Sequence, residues 1–146
     1  MRRQAGFTLI ELITVVVVLG ILAAFAIPRF TGLESNARTS AVNGIAGSMR
    51  SAAALAHGVY VAKGNTGSSI TLESKAITMD STTGYPTADA DGIEATLQNV
   101  SGFTVDTATS GTYKLYINSA STCVASYTLG GSAGVAPTIA TDTSGC

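Results

Sequence analysis

Few residues in this chain are of a type and spacing that could do chemistry. Gly6, Phe7 and Glu11 stand in "GFTLIELITVVVVLGILAAFAIP", residues 6–28, where one carboxylate interrupts an otherwise apolar run. If the chain were cut between Gly6 and Phe7, Phe7 would carry a new cationic amine. A carboxylate four residues on could then pair with that amine or, in a packed array, with the amine of a neighbouring subunit. At the centre of a membrane helix an acid disfavours insertion by about 2.5–3.5 kcal/mol, and by less near an end. Glu11 is therefore read either as an interfacial residue that snorkels or as an assembly device.

The other reactive types form no constellation. Cys123 and Cys146 are the only cysteines, too far apart for a CxxC redox motif and without the second pair or nearby histidine that a zinc site requires. His57 has no triad partner in reach of sequence reasoning and reads as a solvent-facing or hydrogen-bonded histidine. Asp89, Asp91 and Glu94 lack the ligand order and glycine of an EF-hand and read as helix-start charges. No serine sits in a nucleophile elbow. The sequence thus predicts no catalytic residue, no metal and no cofactor.

The elements around these residues follow from patterning. The chain has 146 residues, enough for one domain, and its 46% hydrophobic content is concentrated in residues 7–27. What remains is rich in Gly, Ser, Thr and Ala and makes a thinly cored domain. A net charge of −1 with scattered basic residues excludes a nucleic-acid surface, and 6% aromatic residues argue against conduction along stacked rings. The apolar run is longer than a signal-peptide core and lacks an A-x-A cleavage site. As a helix it spans roughly 30 Å, the thickness of bilayer hydrocarbon. Arg2 and Arg3 place its start on the cytoplasmic side, so the residues beyond Pro28 are exported.

Gly20 and Pro28 weaken the first helix and predict a kink or local break near residues 24–28. Beyond it Phe30, Leu33, Ala37, Ala41, Ile45, Met49 and Ala52 recur at helical spacing. The opposite face carries Arg29, Glu34, Asn36, Arg38 and Arg50, and this amphipathic half is expected to end near Gly58. Residues 64–87 read as a long surface connection with short strand-like pieces, and residues 91–100 as one short helix. Strands are expected at 102–107, 112–118 and 123–129, with a fourth at 135–141 held to an edge by Pro137. Tyr113 and Tyr116 point to opposite faces of their strand. The expected fold is α+β, a long N-terminal helix packed on a small antiparallel sheet. Export into an oxidising space favours a Cys123–Cys146 bridge over two free thiols. Closing that loop of about 24 residues stabilises by about 3 kcal/mol or slightly more.

"GFTLIEL" after a short basic leader, followed by apolar residues and a proline, resembles the processing motif of type IV prepilins, in the short-leader (type IVa) class. That resemblance implies cleavage between Gly6 and Phe7 by a prepilin peptidase, N-methylation of Phe7 by the same enzyme, and a docking role for Glu11. It divides the chain into a leader (1–6), a membrane and filament-core helix (7–28) and a globular head (29–146) whose residues 123–146 form a disulfide loop. The implied partners are further copies of the chain in a helical polymer, the inner-membrane assembly machinery with its cytoplasmic motors, and the inner membrane before assembly. "PRFTGLESNAR", the "GYP" turn at 84–86, "TC" at 122–123 and the closing "GC" resemble mannose-sensitive haemagglutinin pilins. That would imply an extracellular pilus of a Gram-negative bacterium, serving attachment and biofilm formation through a host or surface glycan. A pseudopilin of a type II secretion system shares the leader, the glutamate and the helix and is the alternative.

Overall fold

The computed structural model describes residues 6–117 and 121–146, with the side chains of residues 27–31 outside the description. One helix, α1, runs over Leu9–Ala62. A hairpin of β1 (Ser69–Leu72) and β2 (Lys75–Thr78) follows, then a helical turn at Ala90–Glu94 and four strands, β3 (Thr104–Asp106), β4 (Thr112–Tyr116), β5 (Val124–Thr128) and β6 (Thr138–Asp142). The last four form an antiparallel meander in the order β3-β4-β5-β6. The α+β class expected from the patterning is the one observed. β6 lies at the sheet edge with Pro137 just before it, where a missing N–H breaks no ladder.

The chain divides into two compact units, Met1–Ala37 and Arg38–Cys146. In the first, the window Leu9–Ala26 has a mean hydropathy of 2.7 and none of it is buried. The second contains the core. Val42, Ala46, Met49 and Ala53 of α1 meet Tyr113, Leu115, Ala125 and Tyr127 of the meander in one buried cluster. Ala56 and Tyr60 meet Ile70, Ile77 and Met79 in another.

Several expectations are corrected. α1 is helical through Gly20 and Pro28 without interruption, because one proline removes a single hydrogen bond from a ladder that continues on both sides. The buried stripe is displaced from the expected one. Ile45 and Met49 are buried, but Leu33, Ala37 and Ala41 are exposed and the seam instead follows Val42, Ala46, Ala53, Ala56 and Tyr60. Phe30 and Arg29 fall among the side chains outside the description. The helix also passes Gly58 and ends four residues later. Gly64, at φ 83, lets its own N–H reach the Val61 carbonyl and that of Asn65 reach the Tyr60 carbonyl, a Schellman closure.

The short strand-like pieces expected within the connection over 64–87 are the two strands of the hairpin, but the stretch is not only surface, since Ile70 and Ile77 are both buried and complete the second core. The helix expected over 91–100 is only the turn Ala90–Glu94. Its Gly92 sits so close to the Thr87 carbonyl that no side chain fits. Asn99 then closes a turn by accepting the Ser101 N–H at 2.6 Å.

Candidate functional site

The Gly6–Phe7 bond lies in residues 6–8, which precede α1 and are neither helix nor strand, and Phe7 is 79% exposed. A Cβ built on Gly6 would meet nothing within 4 Å. The fold itself therefore makes no demand for glycine there. The demand, if any, belongs to whatever handles the bond.

Thr8 and Glu11 open the helix together. The Thr8 N–H donates to Glu11 Oε2 at 2.9 Å and the Thr8 hydroxyl donates to the same oxygen at 2.7 Å. In return the Glu11 N–H donates to Thr8 Oγ1 at 3.3 Å. This reciprocal pair is a capping box, which satisfies two backbone donors that an α-helix otherwise leaves unpaired. Glu11, an acid in the helix's first turn, also complements the positive end of the helix dipole. The spacing T-x-x-E in "TLIE" signals this box, a role for Glu11 within its own chain that the expected docking role does not include. Arg2 and Arg3 of the expected leader lie outside the described residues.

Cys123 and Cys146 are bonded to each other, 23 residues apart in sequence. The loop closes against the larger core cluster: Cys123 is buried in it, Cys146 packs on it, and the Gly145 N–H donates to the Thr122 carbonyl at 2.9 Å. A side chain at Gly145 would displace the Thr122 hydroxyl.

The remaining candidates have structural partners. His57 stacks on Tyr85 with ring centroids 4.1 Å apart, and its Nδ1 lies 2.7 Å from the Gly84 carbonyl oxygen. Asp89 accepts from the Gly92 N–H at 2.7 Å and the Thr87 hydroxyl at 2.9 Å, the helix-start role expected of it. Glu94 accepts from the Tyr113 hydroxyl at 2.8 Å. Burial pushes the Tyr113 phenol well above its ordinary range, with the hydrogen bond to and charge of Glu94 adding to the effect. Tyr127 is raised chiefly by burial, then by Tyr85 and Asp80. Among the described residues no three His, Cys, Asp or Glu side chains converge on a metal position.

Residues 1–27 match the prokaryotic N-terminal methylation motif. The chain is 50% identical over 54 residues to the type IV narrow pilus major component PilA5 of Thermus thermophilus, a match covering 37% of this chain and 47% of that one. It is 54% identical over 37 residues to the type II secretion system core protein G of Vibrio cholerae, covering 25% of each. With the type IV major fimbrial protein FimA of Dichelobacter nodosus it shares 49% over 49 residues, covering 34% of this chain and 31% of the relative. The chain thus spans between a quarter and about half the length of these relatives. They are named as pilus, fimbrial and secretion-system components rather than as enzymes. No solved structure matches the chain.

Proposed function

We propose that this chain is the major structural subunit of a type IV pilus, cut between Gly6 and Phe7, N-methylated at Phe7 and polymerised through α1. The observation that carries this reading is the Leu9–Ala26 segment, an apolar helix with no residue buried, preceded by an exposed non-helical Gly6–Phe7 bond and lying within the methylation motif. A helix of that kind is stable in lipid or inside a helical bundle and nowhere in water. Transfer from one to the other changes its apolar surroundings little, so close packing and polar pairs decide the geometry of the polymer. The leader is residues 1–6, the membrane and core helix residues 7–28 and the head residues 29–146. On this reading the Glu11 carboxylate, held by Thr8 in the isolated chain, pairs with a neighbour's methylated amine on assembly.

On this reading the chain waits in the inner membrane of a Gram-negative cell, is processed by a prepilin peptidase, and is extracted by membrane assembly machinery into an extracellular fibre. The mannose-sensitive haemagglutinin likeness in "PRFTGLESNAR" and "GYP" supports attachment to a surface or glycan. A second reading, a pseudopilin of type II secretion, is favoured by the match to core protein G. The disulfide loop, which covalently ties down the edge strand β6, suits an exported head on either reading. Intact mass and N-terminal sequencing of fibres sheared from native cells test the choice. A chain starting at methylated Phe7 in the sheared fraction supports the pilus. A processed chain confined to the envelope supports the pseudopilin, and an unprocessed functional chain overturns both.

A further inference from the structure

One corner of the head is polar without being charged. A cavity of about 210 Å³ opens between His57 and Tyr60 near the end of α1, the loop over residues 81–84, and Ala133 and Gly134 in the connection from β5 to β6. Asn65 lines it too, and no Asp, Glu, Lys or Arg does. The imidazole in its wall is held on two sides. The Tyr85 ring lies within 5° of parallel to it, and the Gly84 carbonyl oxygen is 2.7 Å from Nδ1. A carbonyl only accepts, so Nδ1 carries the proton and Nε2 of the neutral ring is left an acceptor. Nε2 makes no hydrogen bond among the described residues, where no buried side-chain nitrogen or oxygen goes unpaired, so it reaches solvent. Asn65 has its backbone engaged instead of its side chain. Its N–H donates to the Tyr60 carbonyl at 3.1 Å and its own carbonyl accepts the Tyr60 hydroxyl at 3.3 Å, at a left-handed φ of 56° that glycine adopts more readily.

We infer that this cavity binds the terminal ring of a neutral sugar. The inference rests on the attachment reading and gives it a site. The volume falls below the roughly 300–1,000 Å³ of pockets for drug-sized ligands, which suits a single ring. An anionic ligand would lose its hydration here and meet no counter-charge. A sugar brings hydroxyls that both donate and accept, and the wall answers both. Nε2 accepts one hydroxyl proton, the Asn65 amide donates and accepts across a neighbouring pair, and the exposed Ser81 and Thr82 hydroxyls do either. The Tyr60 ring and Ala133 offer apolar surface to the C–H groups of the sugar. Because stacking and the Gly84 carbonyl fix the imidazole in advance, binding costs little ordering of that side chain.

The full chain, isotope-labelled and solubilised in a detergent without a sugar headgroup, is titrated with the methyl glycosides of glucose, mannose and galactose, with glucuronate as the anionic counterpart. His57 is the only histidine, so its Nε2 resonance reports on the cavity without overlap. The expected result is saturable movement of that resonance and of the Asn65 and Thr82 amides with at least one neutral glycoside, and none with glucuronate. Asn65→Gly removes the amide while suiting the left-handed backbone, so the variant should stay folded and bind about tenfold more weakly. No movement with any neutral glycoside, equal binding of glucuronate, or an unaltered affinity in Asn65→Gly overturns the proposal. Sheared fibres on beads bearing the same glycosides separate the site from the attachment reading. Equal capture of wild-type and Asn65→Gly fibres overturns the site alone; capture of neither removes the attachment reading, while the titration still decides the cavity.

Discussion

Alkaline pH should unfold the second unit steeply, and two tyrosines set the slope. Tyr113 and Tyr127 are both 0% exposed. Their hydroxyls donate to Glu94 Oε2 at 2.8 Å and to the Pro86 carbonyl at 2.7 Å. Burial disfavours both phenolates, so both groups titrate well above their ordinary range in the folded chain; in the unfolded chain they lose protons near pH 10. Below pH 10 both states hold these protons and the contribution is fully present. Above it the unfolded state has released protons that the native state keeps, so stability falls as pH rises. Each group contributes a slope of about 1.4 kcal/mol per pH unit. Two of them remove about 4 kcal/mol over the first one and a half units beyond pH 10, against a total of about 5–15 kcal/mol for an ordinary domain.

Urea unfolding of the detergent-solubilised chain, followed by circular dichroism between pH 8 and pH 11.5, reads the slope directly. Absorbance at 295 nm counts ionised tyrosines among the five present. Tyr127→Phe should cost about 1–3 kcal/mol at neutral pH by leaving the Pro86 carbonyl without its donor, and should halve the alkaline slope. A midpoint that does not move between pH 9.5 and 11 would refute the reasoning. So would ionisation of all five tyrosines near pH 10 with the native spectrum intact.

Three further outcomes follow from the packing. Ile77→Ala should lower stability by about 2–5 kcal/mol in the same urea assay, because Ile77 is fully buried in the smaller cluster; a loss under about 1 kcal/mol would mean the hairpin is not part of the cooperative unit. Replacing Cys123 and Cys146 together by alanine should cost about 3 kcal/mol and speed hydrogen exchange in β5 and β6, and unchanged exchange there would count against the loop's role. Thr8→Ala should speed exchange of the amides of residues 9–11 in detergent, since it removes the hydroxyl half of the capping box. Equal rates would show that the box does not hold the helix start.

Local signals account for what was legible in the sequence. β4 and β5 alternate cleanly in "TYKLYIN" and "CVASYTL" and turn clusters separate the strands, so β3, β4 and β5 could be read to within two residues, whereas β6 begins three residues after its expected start. Apolar density alone marked the first half of α1. Short strand-like pieces were legible in 64–87, but their pairing into a buried hairpin was not, because the strands have four residues each and the turn lacks the Asn-Gly signal. Glu73 and Ser74 adopt φ of 46° and 69° instead, left-handed values that glycine usually supplies. The seam of α1 was misplaced because alanine is uninformative. Ala37 and Ala41 are exposed while Ala46, Ala53 and Ala56 are buried, and only the tertiary partners distinguish them. Thr8 is legible through its T-x-x-E spacing to Glu11, a pairing within the first turn that needs no second subunit.

The division of labour along α1 bears on what selection can change. The buried hydrophobic residues among those described all lie between Val42 and Tyr127, so the core that stabilises the head owes nothing to the Leu9–Ala26 segment. Replacing an exposed valine there by another apolar residue leaves the head's contacts untouched, and any effect must arise from lipid or from a neighbouring molecule. Conversely, Gly44 and Gly47 weaken the helix that carries seven of the seventeen buried hydrophobic residues among those described, and relieve no clash within it. A chain selected for head stability alone would place alanine at both positions. Gly44→Ala with Gly47→Ala should therefore raise the melting temperature of the detergent-solubilised chain, since a Cβ at either position meets nothing within 4 Å, and an unchanged or lower value would show that the helix does not limit the head's stability.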